Sequence, residues 1–393
     1  MSQFRQLFTE GFRFFFLAAG IFGLVVIALW TVSLAMPNAP LVLPGDMSIS
    51  AWHSHEMIFG YGTAALGGFF LTAVPNWTKG KMAPASFVTL LAVIWFAGRV
   101  AMFFAGVLNP YVLAAIDLLF IPVMGANIAH QLMRNPKPAN LMFLVLLALI
   151  WFGNLRVHLD WMGFSWGDAY AGLRAGMMGI CAMIAILGGR VTPAFTRNAM
   201  RKLGIESNLP VSRKPFEIAG AASAVLLPTV ILLSAPDMLV GFVAIIAGIA
   251  QMLRLSGWRS DWTRHNPIIW SLHLAYGMLA LGYFLYGLSL TGLGSEVGAL
   301  HVLAIGAVGG MTLAVMSRAS LGHTGRELIA TPGVSVAYAI LPYSALLRWI
   351  GSQLGGELAQ MAILGSGVLW CVSLSLFVRM VWPVVSRPRV ARA

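Results

Sequence analysis

The sequence predicts an all-α bundle that crosses a membrane about twelve times. Three observations lead there. Hydrophobic residues make up 59% of the 393 and charged residues only 10%, whereas a soluble domain carries about 25% charged residues. Apolar runs of about 20 residues, long enough to span a hydrocarbon core of roughly 30 Å, recur from one end of the chain to the other. Lys and Arg fall in every second connection between those runs and are missing from the others.

The runs are taken in order. The first, 14–36, is too long for the apolar core of a signal peptide and no small-residue cleavage site comes after it, so it reads as a span. The next eleven are 52–75, 84–107, 110–133, 139–158, 168–190, 214–234, 236–257, 265–291, 294–317, 330–353 and 357–382. No connection between them is long enough to build a soluble core. The organisation expected is a single integral membrane domain with spans over 14–189, a basic connection over 190–213, spans over 214–382 and a basic tail over 383–393. Six spans on either side of that connection suggest a 6+6 pseudo-repeat. Cys181 and Cys371 lie at similar depth in the two halves, and Ala19-Gly20 is echoed by Ala219-Gly220.

The net charge of +12 is a matter of topology, and nucleic acid is not implied. Arg5, Arg13, Lys79, Lys81, Arg134, Lys137, the group from Arg197 to Lys214, Arg254, Arg259, Arg264, Arg318, Arg326 and the tail with Arg387, Arg389 and Arg392 all fall on one side. The opposite connections hold Asp46, Asp160, Asp168, Asp237 and Glu296 without Lys or Arg. By the positive-inside rule both termini are expected in the cytoplasm, with some attraction of the basic loops to anionic lipid. The two cysteines form no CxxC and no disulfide framework, and read as small buried hydrophobes.

Topology gives each ionisable residue a depth. His53, His55 and Glu56, in "SISAWHSHEMIFGYG" (48–62), occupy the outer first turn of span 2. Arg99 lies roughly 12 Å below the outer end of span 3, and Asp117, Arg174 and His301 roughly 9–10 Å inside theirs. Asn154, Arg156 and His158 close span 5 near the same face. Ionisable groups at such depth cost about 2.5–3.5 kcal/mol each near mid-membrane and normally face the bundle interior. Several at one level, from six spans, point to a site. His273 lies deeper, toward the inner side. His130 and His265 read as interfacial, and His323 as a loop residue.

The chemistry has alternatives. His53 and His55 are about 200° apart on a regular helix. Either they serve different centres, or the helix begins after Ser54 and both lie on a loop. His53 and Glu56 share a face as i and i+3. Histidine is the commonest metal ligand and helical bundles house haem. His53, His55 and His301 are the candidate metal ligands, with His158 and His273 as further cofactor ligands. Arg99, Arg156 and Arg174 suit the carboxylates of a prosthetic group. Arg99 equally suits an ion pair with Asp117 or Glu56, and Arg156 and Arg174 suit snorkelling to the outer interface. Glu56 and Asp117 are candidates to relay protons or complete a metal's shell. HxHE is a weak motif, and no zinc-protease, P-loop, dinucleotide or Ser-His-Asp pattern occurs.

Three stretches carry a resemblance: "WHSHEMIFGYGTAALGGFFLTAVPNWT" (52–78), "GGRVTPAFTRNAM" (188–200) and "HVLAIGAVGGMTLAVMSRASLGHTGRE" (301–327). In these, and over nearly the whole chain, the sequence resembles the NnrS family. That resemblance implies a bacterial inner-membrane protein containing haem, b-type by expectation, and copper, linked to nitric oxide, denitrification and nitrosative stress. It assigns no ligand residue by residue. Within 188–200, Pro193 is expected to end span 6, with Thr192 or Thr196 capping the next element.

Three functions fit this reading. The first is a haem-dependent oxidoreductase that binds and reduces nitric oxide, drawing on an unknown electron donor. The others are a twelve-span transporter of an anion or metal complex, and a haem sensor of nitric oxide without turnover.

Overall fold

The computed structural model describes residues 3–36, 38, 41–45 and 47–390; Asp46 and Arg392 lie outside them. The chain is 79% helix. No strand forms among the described residues, where Gly45 and Gly106 make an isolated bridge. Twelve helices among these residues are long and apolar enough to cross a membrane: α1 Gly11–Ala35, α2 Ile49–Thr78, α3 Ala85–Phe103, α4 Pro110–Met133, α5 Pro138–Trp161, α6 Ala169–Lys202, α7 Lys214–Leu232, α8 Asp237–Leu255, α9 Pro267–Leu290, α10 Glu296–His323, α11 Pro332–Gly351 and α12 Gly356–Val385. Each expected span has its helix, and the protein is a multi-pass membrane protein. The physical reason is that hydrocarbon offers no partner to a backbone N–H or C=O, so each segment satisfies its own.

Boundaries depart from the sequence reading in three helices; α10 runs on to His323, so that histidine, read as a loop residue, closes a helix instead. α2 begins at Ile49, because the Ser48 hydroxyl accepts from Ala51 N at 3.1 Å and caps it. α6 continues to Lys202, so Pro193 does not end it. A proline removes one helical hydrogen bond, whereas stopping the helix frees four carbonyls, the greater loss in an apolar setting. Nor does Thr196 cap a new element. Its hydroxyl donates back to Thr192 O at 2.9 Å within the same helix.

Two helices change their winding midway. α2 is α-helical to His55, a π-helix over Glu56–Gly62, and α-helical again from Thr63. α10 is α-helical to His301, then a π-helix over Val302–Gly309.

The chain packs as two compact units. The first comprises Met1–Gly176, Ala319–Glu327 and Leu374–Ala393; the second comprises Met177–Arg318 and Leu328–Ser373. In the first, Val26, Leu43, Trp52, Ala101, Met102 and Leu113 form a core that holds the starts and ends of α1–α4 together. The basic tail is tied down in the same unit. Arg13, paired with Glu10 at 2.7 Å, donates from Nη1 to Val385 O and Arg387 O, both at 2.8 Å, and Val390 N donates to Thr324 O at 2.9 Å.

The second unit is knotted around Arg254. Its guanidinium donates to Glu217 Oε2 (2.6 Å), Gln251 Oε1 (2.8 Å), Ala185 O (2.8 Å) and Tyr276 OH (2.5 Å). Trp258 and Tyr276, both fully buried, lie with ring centroids 5.7 Å from its guanidinium carbon. Cys181 and Cys371 are not joined in a disulfide.

Candidate metal centre

The α2 stretch divides its two histidines. With the helix regular from Ile49 to His55, rings two residues apart must diverge by about 200°. His55 turns inward and is wholly buried. His53 turns away and stacks on Trp30, with centroids 5.0 Å apart and planes 25° apart. Of the alternatives open in the sequence, the loop arrangement is therefore excluded. Glu56, where the π winding starts, bonds to His55.

Four helices of the first unit bring their polar groups together here. His55 Nδ1 donates to Glu56 Oε1 at 3.0 Å. His55 Nε2 donates to Asn154 Oδ1 at 2.9 Å and stands 3.3 Å from Asp117 Oδ2. His158 Nε2 donates to Asp117 Oδ2 at 3.0 Å, and Asn154 Nδ2 donates to the same oxygen at 2.8 Å. Arg99, from α3, bridges the two acids: Nη1 donates to Glu56 Oε1 and Nη2 to Asp117 Oδ1. Arg99 thus pairs with both of the carboxylates that its depth suggested.

Aromatic rings close the cluster. Phe59, His158 and Trp161 lie with centroids 5.1, 5.7 and 5.5 Å from that of His55. Trp95 Nε1 donates to Gly60 O at 3.0 Å and fastens the π segment to α3. Gly60 itself is required by close approach, since a Cβ there would stand 2.8 Å from Arg99 Nη1 and 2.6 Å from Phe22.

The charges balance. Glu56 and Asp117 are two anions and Arg99 one cation. Both ring nitrogens of His55 face oxygen acceptors, the arrangement of an imidazolium, which supplies the second cation. A buried cluster left with a net charge would cost several kcal/mol.

The same geometry suits a metal ion. One ligand atom each from His55, Asp117 and His158 lie within 4.8 Å of one another, all buried. Ligand atoms about 2.1 Å from a shared first-row ion stand about 3.4 Å apart. The 3.3 and 3.0 Å separations of the two Nε2 atoms from Asp117 Oδ2 come close to that. A metal-bound imidazole normally gives its other N–H to a carboxylate, and His55 does so to Glu56. Glu56 Oε2 is buried without a hydrogen-bond partner, so the centre has an oxygen in reserve. A porphyrin does not fit here, because the rings of Phe59, His158 and Trp161 pack directly around His55.

The remaining candidates lie elsewhere. Arg156 Nη2 stands 3.7 Å from Asp168 Oδ2, and Arg174 lies over the Tyr170 ring at 5.4 Å. His273, in the second unit, pairs through Nε2 with the Thr196 hydroxyl at 2.8 Å and through Nδ1 with that of Ser260 at 2.9 Å. His301, also in the second unit, has Val297 O at 2.7 Å from Nδ1. Asn154 and Trp161 were absent from the sequence-derived site. Their signal was spacing: Asn154 is four residues before His158 and Trp161 three after it, on one helical face.

Apolar spanning helices around a sealed histidine–carboxylate–arginine cluster define a polytopic membrane protein with a seat for a metal ion. The chain belongs to the NnrS family, whose profile, described as NnrS protein, matches residues 6–389. That makes it a membrane protein related to nitric oxide. No curated protein matches the chain.

Proposed function

We propose that this is a metalloprotein that binds nitric oxide and reduces or otherwise detoxifies it, with an ion held by His55, His158 and Asp117. The observation that carries the reading is that buried trio, with ligand atoms within 4.8 Å, in a chain whose family is linked to nitric oxide. Two imidazoles and a carboxylate suit a first-row ion such as iron or copper, and copper is the one that the family resemblance implies. A redox-active ion in that seat would pass to bound nitric oxide electrons that it takes, one at a time, from an external donor. The chain's own residues do the rest. Glu56 Oε1 orients His55, Arg99 holds the charge of both acids, and Phe59 and Trp161 keep water out. Glu56 Oε2 is the oxygen available to carry a proton.

In this reading a b-type haem would be held outside the cluster; His53, Arg156 and Arg174 of the first unit and His301 of the second are each separate candidates to hold it. The charge pattern supports cytoplasmic termini in a bacterial inner membrane, which sets the centre beneath the outer face.

The test is the visible spectrum and metal content of the purified protein. A Soret band that shifts with nitric oxide, about one non-haem ion per chain, and consumption of nitric oxide with a reductant are expected. His301→Ala should lower haem content, and His265→Ala should not. A shift without consumption would identify a sensor. A colourless, metal-free protein would refute the reading and favour the twelve-span transporter.

A further inference from the structure

Among the described residues, three buried guanidiniums are answered by oxygens. Arg99 meets two carboxylates, Arg254 meets Glu217 and three other oxygens, and Arg13 meets Glu10 and two carbonyls. Arg348, on α11, differs. It is only 8% exposed. Its Nη1 donates to the Ser352 hydroxyl one turn further on, and its Nε is buried without an acceptor. Among the described residues no carboxylate pairs with it. An uncompensated cation at such a place is among the costliest groups a fold can hold, and within a membrane it marks function by default.

Its surroundings add a second observation. Gly298, in the first turn of α10, packs on α11: a Cβ there would stand 3.0 Å from Ser352 Cβ and 3.1 Å from Trp349 Cδ1. Arg348 lies one turn below Ser352 on α11, and His301 lies three residues beyond Gly298 on the antiparallel α10. The register sets His301 and Arg348 at one level on neighbouring helices. The α10 start also matches that of α2. Each opens on a serine accepting a backbone N–H three residues on, Ser48 from Ala51 and Ser295 from Gly298, both at 3.1 Å. Each reaches a histidine, His55 or His301, immediately before a π-helix, a winding that recurs at functional sites. After His55, the nearby guanidinium finds two carboxylates in the chain. Near His301, the guanidinium finds none among the described residues.

We infer that Arg348 binds a planar oxoanion supplied from outside the chain, of the carboxylate or nitrite kind, beside His301. With Nη1 committed to Ser352, the Nε–Nη2 edge is the part left to bind, and this edge matches two coplanar oxygens side by side. The anion has two sources: a small free ion, or a carboxylate borne by a prosthetic group. Neither source depends on the ion seat of the first unit.

The experiment uses the full chain in detergent. Thermal unfolding is followed with sodium nitrite, sodium formate or sodium chloride at equal ionic strength, for the wild type, Arg348→Met and Arg348→Lys. Haem and metal contents are measured on the same samples. For a free ion, nitrite and formate raise the wild-type melting temperature above chloride, and Arg348→Met weakens that response about tenfold or more, with Arg348→Lys between. For a prosthetic carboxylate, the wild type ignores added anions and both variants purify with less haem. The inference is overturned if the wild type ignores the anions while haem content stays whole, or if the variants respond as the wild type does. Arg348→Lys keeps the charge, so it decides the matter if Arg348→Met does not fold. The non-haem ion held by His55, Asp117 and His158 should be unchanged in either variant, which separates failure here from failure of that seat.

Discussion

His55 Nε2 and Asp117 Oδ2 stand 3.3 Å apart, both wholly buried, and they come from α2 and α4. Without a metal they form one edge of a neutral cluster; with one, they are two of its ligands. Binding an ion would replace the hydrogen bonds made by the Nε2 atoms of His55 and His158 and keep those of Glu56 and Arg99, so the occupancy of the centre is open to direct test.

Replacing His158 by Ala or Asp117 by Asn should lower the occupancy of the non-haem ion at least about tenfold, read by elemental analysis after dialysis against a weak chelator. His53→Ala should leave it intact, because His53 stacks on Trp30 and takes no part in the cluster. Equal ion content in all three variants would remove the assignment.

Arg99→Met should be among the most damaging changes in the first unit. It strands Glu56 and Asp117 as neighbouring buried anions, at a cost of about 3–5 kcal/mol. Thermal unfolding in detergent reports this directly. The double variant Glu56→Gln, Asp117→Asn on the Arg99→Met background should recover much of the loss, although it cannot restore the metal.

Glycine positions beside the centre should rank by the space they lack. A Cβ at Gly60 meets Arg99 Nη1 at 2.8 Å, whereas one at Gly98 meets Asp117 Oδ1 at 3.3 Å. Gly60→Ala should cost about 1–3 kcal/mol by overpacking and reduce bound metal, with Gly98→Ala clearly milder. The reverse order would show that the π segment yields more easily than α3.

The docked tail offers a test away from the centre. Arg13→Ala removes the donor to Val385 O and Arg387 O, so amide exchange over 386–390 should speed up about tenfold or more while α2–α5 are unaffected. Unchanged exchange would mean that the Val390–Thr324 bond suffices to hold the tail.

The twelve spans were legible because a long apolar run has few alternatives in a chain this poor in charge. Arg99, Asp117 and Glu56 were legible for a related reason: depth comes from counting residues, and charges buried at one depth seek each other. Less was visible where a choice depended on azimuth. The sequence left His53 and His55 open, and only the Ser48 cap and the regular turn to His55 decide between them. Neither π segment has a compositional signature, so the bond of Glu56 to His55 was hidden. Pro193 misled because helix-stop rules come from water, where a freed carbonyl is readily solvated. Asn154 was passed over as uncharged, yet it links His55 to Asp117 from a third helix.

The length of α6 has a mechanical consequence. Its 34 residues make a rod of about 51 Å, some 20 Å more than the roughly 30 Å of oil it must cross. The excess continues past Pro193 and carries Arg197, Arg201 and Lys202. Those cations therefore stand beyond the oil, within reach of lipid phosphates, while packing against neighbouring helices sets the tilt of the rod.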